Sequence, residues 1–316
     1  MIQQYTVKKY NKTHYQSWNT FIENSKNSTF LFHRDFMEYH NDRFEDHSLL
    51  VLRKQTIVAL VPANKNDTTF YSHQGLTYGG LLLLKSIGVT KVETIFLTII
   101  EYLKRNQFST IRIKTLPVFY HKAPSFELES LFLKLGAKIF RREQNFAIDY
   151  NLPFEIHKTK LKNYKKNQHL NFKIIETDNF TDFWEEILKP RLKTKHNAKP
   201  VHTESEILFL KSKFPNNIKQ FNIFLENKLL AGITIFKTDT VVKSQYGATT
   251  NDGEKLRALE FLFIYLIKKY KSEGYKFFDM GIIAGNISLL KQKEELGCNQ
   301  YLQDFYQLSI DQTNEV

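Results

Sequence analysis

Apolar positions recur at helical spacing in two long stretches, and each stretch leads into the same succession of shorter patterns. Ile95, Ile99 and Leu103 mark the first stretch and run on to a short strand at Ile111 and Ile113. Leu259, Phe263, Leu266 and Tyr270 mark the second, which runs on to Phe277 and Phe278. A further amphipathic segment then ends at Leu135, Gly136 and Ala137 in one half and at Leu296, Gly297 and Cys298 in the other. After each glycine comes an aromatic strand, carrying Phe146 in the first half and Phe305 with Tyr306 in the second. Upstream, the hairpin-like run Leu50 to Pro62 is answered by Phe221 to Phe236. Solenoid units run to about 20–50 residues, so a repeat this long predicts two similar α/β domains, 1–150 and 151–316, with a cleft where they meet.

Within that frame the pattern predicts a helix over Phe30 to Tyr39 and strands at Leu49 to Leu52, Ile57 to Val61 and Phe70 to Ser72. Asn151 to Glu155, around Pro153, reads as the linker. Beyond it, a helix is expected from Asp182 to Leu188, stopped by Pro190. Thr203 and Glu206 have capping-box spacing, which places a helix start at Thr203 and its end before Pro215. Strands at Phe221 to Leu225, Leu230 to Phe236 and Val241 to Tyr246 read as an antiparallel meander. A helix from Glu254 to Tyr270 follows, closed by Gly274. Hairpin strands, then a helix, then a crossing strand describe the topology of GNAT acyltransferases. The fold class is therefore α/β (α+β): two tandem GNAT-like domains, each a mixed, mostly antiparallel sheet flanked by helices.

Composition narrows the partners. At 316 residues and 42% hydrophobic, the chain can bury the core of two ordinary domains. The single Cys298 excludes a disulfide framework and fits a reducing compartment. No apolar run reaches the roughly 18 residues of a membrane span, and a soluble, cytoplasmic protein is expected. The net charge of +12 favours polyanions: tRNA, nucleotide-linked substrates, or an anionic membrane face met peripherally. Lys158, Lys160, Lys162, Lys165 and Lys166 concentrate part of that excess, and Lys162, Lys165 and Lys166 are the candidate nucleic-acid contacts. A solvated surface face is the plainer reading of the same run.

Candidate chemistry collects in a few places. Phe277 and Phe278 anchor a strand, Asp279 sits where it leaves the sheet, and Gly281 frees the backbone beside it. A carboxylate there can orient an amine or accept its proton. Lys293, on the last helix, is placed to neutralise a phosphate or a tetrahedral oxyanion. Asp279 and Lys293 are thus the catalytic candidates, with Glu294 beside them as a substrate contact. Gln245 and Tyr246 end a strand ahead of Gly247, Ala248 and Gly253, whose backbone N–H groups would face an acyl donor. Asn251, Asp252, Gly253 and Glu254 supply only one glycine and two acids, which is poor for a pyrophosphate. In the first half, Ser72 to Gly80 forms a glycine-containing loop whose His73 and Tyr78 can line a ligand. Lys199 and His202 are further substrate candidates. His196 and His202 lack metal-ligand spacing, so no metal is expected. GxGxxG, GxxxxGK[ST] and GxSxG signatures are absent in the required contexts.

Taken together, Phe30 to His40, His73 to Gly80, Lys199 to Thr203 with Phe214 and Pro215, Gln245 with Tyr246, Phe278 to Gly281, and Gln292 to Glu294 with Gly297 resemble the Fem-like branch of the GNAT superfamily. That branch includes peptidoglycan-bridge aminoacyltransferases and shorter proteins linked to surface-polysaccharide synthesis. The resemblance implies tandem GNAT domains and amide formation by attack of an amine on an activated acyl group. The co-substrate it implies is acyl-CoA or aminoacyl-tRNA, with no metal, and the acceptor is a small or carrier-linked saccharide. Three departures stand out: Lys243 where a His precedes Gln-Tyr, Glu260 where an Asp follows on the next helix, and Ile282, Ile283, Ala284, Gly285 in place of a polar run. The leading expectation is a cytoplasmic acyltransferase acting on an amino sugar of a cell-envelope precursor. An aminoacyl-tRNA-dependent peptidoglycan-type enzyme and an inert glycan- or tRNA-binding module are the alternatives.

Overall fold

The computed structural model describes residues 4–123, 127–283 and 287–310. The chain begins with β1 (Thr6–Lys9), α1 (Tyr15–Asn24), α2 (Arg34–Met37), β2 (Glu45–Asp46), β3 (Leu49–Arg53) and β4 (Thr56–Val61). It continues through β5 (Asn64–Asn66), β6 (Thr69–Tyr71), β7 (Leu82–Leu83), α3 (Val89–Arg105), β8 (Thr110–Lys114) and α4 (Glu127–Lys134). Strand β9 (Lys138–Asp149) leads to α5 (Lys158–Asn167), β10 (Lys173–Thr177), α6 (Thr181–Phe183), α7 (Lys189–His196) and α8 (Glu204–Lys213). Then come β11 (Ile218–Leu225), β12 (Lys228–Lys237), β13 (Val241–Thr249), α9 (Asn251–Lys255) and α10 (Ala258–Ser272). The last elements are β14 (Phe277–Ile282), α11 (Ile287–Glu295) and β15 (Asn299–Ser309). Among the described residues no helix is long and apolar enough to cross a membrane.

The chain packs as two compact units, Met1–Glu143 with Leu302–Val316, and Gln144–Tyr301. These do not coincide with the sequence halves 1–150 and 151–316. In the first unit, β1, β3, β4 and β7 form an antiparallel sheet, and a second set runs β15, β8, β6, β5, β2. Helix α3 turns Val92, Ile95, Phe96, Ile99, Ile100 and Leu103 into that unit's core. In the second unit the strand order is β10, β11, β12, β13, β14, β9. The last strand of each sequence half therefore works outside its half. From Asn145 onward β9 pairs with β14, while Phe305 to Ser309 of β15 pair with β8.

The expected meander is present, with β11, β12 and β13 antiparallel and joined by short turns. The box at Thr203 forms with both bonds made, Glu206 N–H to Thr203 and Thr203 N–H to Glu206. Three expectations change. Phe30 to His40 makes three short helical turns, because the extended backbone of His33 interrupts them. Pro190 does not end a helix. A π-helical turn at Trp184–Leu188 shifts the hydrogen-bond phase, and Pro190 falls in the first turn of α7, where its missing N–H costs nothing. The helix expected from Glu254 breaks at Arg257, whose φ of +54° separates α9 from α10. Helix α10 then buries Leu262, Ile264, Leu266 and Ile267 completely, each contributing about 1.5–3 kcal/mol.

Candidate active site

Strand register sorts the side chains of the second unit onto two faces. Ile223, Ile233, Ile235, Val242 and Phe278 share a core cluster with the α10 residues Leu262 and Leu266. The opposite face follows from alternation. Gln220 pairs with Thr234, Thr234 with Tyr246, Phe236 with Lys243, and Lys243 with Asp279, so all these side chains lie on the face away from α10. A bulge makes this set contiguous. Thr234 opposes Tyr246 but Ile235 opposes Ser244, so Gln245 is the extra residue. Without it, Tyr246 and Lys243, three apart, would point to opposite faces. Gln220, Asn222 and Thr234 are buried there and satisfy one another, Thr234 Oγ1 donating to Gln220 Oε1 at 2.7 Å and Gln220 Nε2 to Asn222 Oδ1 at 2.7 Å.

Strands β13 and β14 are parallel and pair only from Val241 to Lys243, against Phe277 to Asp279. Beyond that point they part. At the fork Asp279 is 1% exposed; its Oδ2 accepts from Lys243 Nζ at 3.1 Å and its Oδ1 from the Gly281 N–H at 2.7 Å. Pairing with β9 slips between Asp279 and Gly281, leaving Met280 as the extra residue, and Gly281 takes φ +76°. This conformation suits glycine, and it leaves the Gly281 and Ile282 carbonyls within reach of Lys293. Lys293 Nζ donates to them at 2.7 and 2.9 Å. Burial pulls the Lys293 pKa down to about 8, with the Asp279 charge opposing that shift and Lys243 reinforcing it. An ammonium has three donors, so one N–H of Lys293 stays available. Burial likewise pushes the neighbouring Cys298 thiol up to about 12.

Farther along the same face, Tyr246 Oη and His202 Nδ1 are 2.6 Å apart, and Trp184 packs edge-on to Tyr246 at 5.1 Å. Burial raises the Tyr246 pKa to about 12, so the phenol stays protonated at neutral pH. Trp184 is fully enclosed on its π-helical turn, and its Nε1 has no partner among the described residues.

No family model matches the chain, and no curated protein matches it in sequence. Solved structures do match in shape. The crystal structure of FemX superposes with a TM-score of 0.68 at 12% identity, covering 96% of this chain and 98% of that one. L-PGS from Bacillus licheniformis gives 0.61 at 12%, covering 98% and 94%. A tandem GNAT protein from the clavulanic acid biosynthesis pathway gives 0.52 at 10%, covering 97% and 98%. The chain has the Fem-like tandem GNAT fold.

Within this Fem-like fold the two units can be compared position by position. In the first unit β6 and β8 are the parallel pair and β15 takes the place of β9, so Tyr71 and Arg112 stand where Lys243 and Asp279 stand in the second. Phe132, four residues before Gly136, matches Lys293, four before Gly297. Arg112 donates to Gln307 at 2.8 Å and Phe132 is core, so at these matching positions the first unit has no counterpart of the lysine–aspartate cluster among the described residues.

The other residues singled out from the sequence fall in several places. Asp279, Lys293, Gln245, Tyr246 and His202 belong to the second unit's polar face or its fork. Glu294 and Lys199 are exposed. Gly247 points toward α10, where a Cβ would meet Phe263 at 3.4 Å, while Ala248 is buried on the polar face. Gly253 is pressed against the sheet, since a Cβ there would lie 2.4 Å from both the Leu230 carbonyl oxygen and Thr249 Oγ1. Its N–H is taken by Thr250 Oγ1 at 2.9 Å. Gly253→Ala should therefore lower unfolding stability by about 1–3 kcal/mol in denaturant titration, whereas a glycine kept only for a ligand would tolerate the change. Lys162, Lys165 and Lys166 are exposed on α5, and Glu260 accepts from the buried Lys160 at 2.7 Å. His73 and Tyr78 are buried in the first unit, the latter donating to Thr29 Oγ1. Ala284 and Gly285 lie outside the described residues.

The sequence reading did not select Lys243, Trp184, Gln220, Asn222 or Thr234. A signal for part of this set was present: Gln220 and Asn222 alternate with Phe221 and Ile223 in a strand flanked by apolar runs, the mark of one polar face.

Proposed function

We propose that the protein forms an amide on an amino group of a cell-envelope precursor, an amino sugar held on a nucleotide or lipid carrier, with aminoacyl-tRNA as the acyl donor. The observation that carries this reading is the Lys243–Asp279–Lys293 cluster at the fork of β13 and β14 in the second unit. In the reaction the amine nitrogen attacks the acyl carbonyl, the ester C–O bond to the tRNA ribose breaks, and the amine's proton passes to the departing oxygen. Lys293, charged below about pH 8, offers its third N–H to the tetrahedral oxyanion. Asp279 has both oxygens engaged, which fits a role in holding Lys243 and sustaining the charge of Lys293 better than proton abstraction.

Two features favour tRNA over coenzyme A. The start of α9 is capped by Thr250 and flanked by Asp252 and Glu254, themselves paired with Lys228 and with Arg191 and Lys195, leaving a poor cradle for pyrophosphate. On α5, Lys158, Lys162, Lys165 and Lys166 are exposed at helical spacing and form one stripe. Acyl-CoA is the second donor, in which case a thioester breaks instead. Incubating the purified protein with aminoacyl-tRNA, acyl-CoA and amino-sugar acceptors, with mass spectrometry of the products, tests both. Amide from aminoacyl-tRNA supports the reading. Binding without transfer from either donor would make the protein an inert recognition module and end it. A triple change of Lys162, Lys165 and Lys166 to Glu should weaken tRNA binding and reduce its log–log salt slope by about 2 to 3; an unchanged slope would remove the stripe from the donor site.

A further inference from the structure

We infer that Lys160 is a positioning residue for Lys293, acting through the last turn of α11. Both lie in the second unit. A surface helix is ordinarily seated by an apolar stripe, yet the one side chain that α11 buries is that of Lys293. The angle at which Lys293 enters the fork therefore depends on how the end of the helix is fastened.

Three contacts, made by α5 and the segment just before it, hold that end. The His157 N–H donates to the Glu295 carbonyl at 2.8 Å. At Gly297 φ is +91°, and a Cβ would lie 3.0 Å from Phe154 and 3.1 Å from the Glu155 carbonyl oxygen, so the chain leaving α11 runs close against that segment. Lys160, 6% exposed and the one buried residue of α5, reaches Glu295 Oε2 at 3.2 Å and Glu260 Oε2 at 2.7 Å. Glu260 stands in the first turn of α10, the helix whose Leu262, Ile264, Leu266 and Ile267 are fully enclosed. One ammonium thus ties the weakly seated helix to the firmly seated one. Helix α5 is itself anchored on α10, with Tyr164 stacked on Phe261 at 4.4 Å and Asn167 Nδ2 donating to the Leu256 carbonyl at 2.7 Å.

The charges at the end of α11 show why the tie matters. Glu294 and Glu295 finish the helix, at the pole that disfavours carboxylates. Lys160 offsets this, and its hydrogen bond holds the Glu295 carboxyl below the usual carboxylate range. Glu295 stands two residues beyond Lys293, roughly 200° around the helix, so the two side chains leave opposite sides of it. Helix α11 is gripped between the Gly281 and Ile282 carbonyls, which take Lys293, and the Lys160 ammonium, which takes Glu295. Releasing the second grip lets α11 turn and draws Lys293 from the fork toward water.

Heteronuclear NMR of the lysine ammonium groups in the full-length protein tests this, the Lys293 signal being assigned by its loss in Lys293→Met. The groups that face Lys293 are Asp279, Lys243, the Cys298 thiol and the Phe146 ring. Lys293 should titrate near pH 8 in the wild type and move toward the ordinary 10.5 in Lys160→Met and Glu295→Met, both checked for folding by circular dichroism. A rise of about one pH unit is expected as the ammonium regains water, and Lys160→Arg should restore the wild-type value. Glu295→Met decides between causes: loss of a nearby negative charge alone lowers a lysine pKa, whereas loss of position raises this one. No movement in either folded variant, or a downward one in Glu295→Met, would overturn the inference. Its kinetic arm rests on the transferase reading: kcat should fall about ten- to a hundredfold in Lys160→Met with KM for aminoacyl-tRNA unchanged, and an unchanged kcat would also overturn it. If the wild type forms no amide, the proposed function falls while the titration still judges Lys160. If amide forms and the titration does not move, this inference falls alone.

Discussion

Replacing Lys293 by methionine is expected to lower kcat by about 10²- to 10³-fold, the usual cost of removing one oxyanion donor, while the far-ultraviolet circular dichroism stays that of the wild type. The side chain is 2% exposed and spends two of its donors on the Gly281 and Ile282 carbonyls, so it is fixed in place before any substrate arrives. Its pKa of about 8 sets the pH dependence. As pH rises through that value the ammonium loses its charge, and the wild-type rate should fall on the alkaline side. Lys293→Arg keeps a cation and should move that fall upward. The same group leaves a mark on stability. Its folded pKa lies below the ordinary 10.5, so the unfolded chain binds more protons between about pH 8 and 10.5. Stability then rises with pH across that window in the wild type relative to Lys293→Met. A methionine variant turning over at the wild-type rate would sink the assignment of the site.

Asp279→Asn should act on both stability and the pH profile. Asp279 is enclosed and pairs with Lys243, whose side chain is 15% exposed. Breaking a buried pair costs about 3–5 kcal/mol, and the partial access of Lys243 to water brings the expected loss down to about 2 kcal/mol. The carboxylate also raises the Lys293 pKa, so its removal should lower that pKa below about 8. The alkaline fall in rate then moves to lower pH. Equilibrium denaturation and a kcat–pH profile read the two effects separately. A loss of stability with an unmoved alkaline limb would show that Asp279 supports the fold without tuning Lys293.

The sequence carried those features whose cause is local. The capping box at Thr203 and the three-stranded meander depend on neighbours within a few residues, and each is where the pattern placed it, whereas β14 runs on past Asp279 to Ile282 instead of leaving the sheet there. The features that escaped depend on pairing at a distance. Lys243 reads in the sequence only as a departure from an expected histidine, because its partner lies 36 positions away on another strand. The bulge at Gln245 decides which face Tyr246 joins, yet it exists only in the register of β13 against β12. Pro190 was misread because the π-helical turn before it has no signature in hydrophobic spacing. His73 was legible as a loop residue near glycines, whereas the ring of His40 against it was not, since the two are brought together by tertiary packing alone.

The placement of β15 bears on how the molecule is made. Phe305 to Ser309 supply the antiparallel neighbour of β8, and Tyr306, Leu308 and Ile310 sit among the apolar residues at the heart of the amino-terminal unit. A ribosome exposes residues 1–143 long before it reaches residue 302, so that unit emerges lacking one strand and waits, with the β8 edge bare, until β15 has been made. Scission near residue 150 would likewise yield two fragments that each carry a piece belonging to the other, and soluble protein would be recovered by co-expressing them rather than from either one alone.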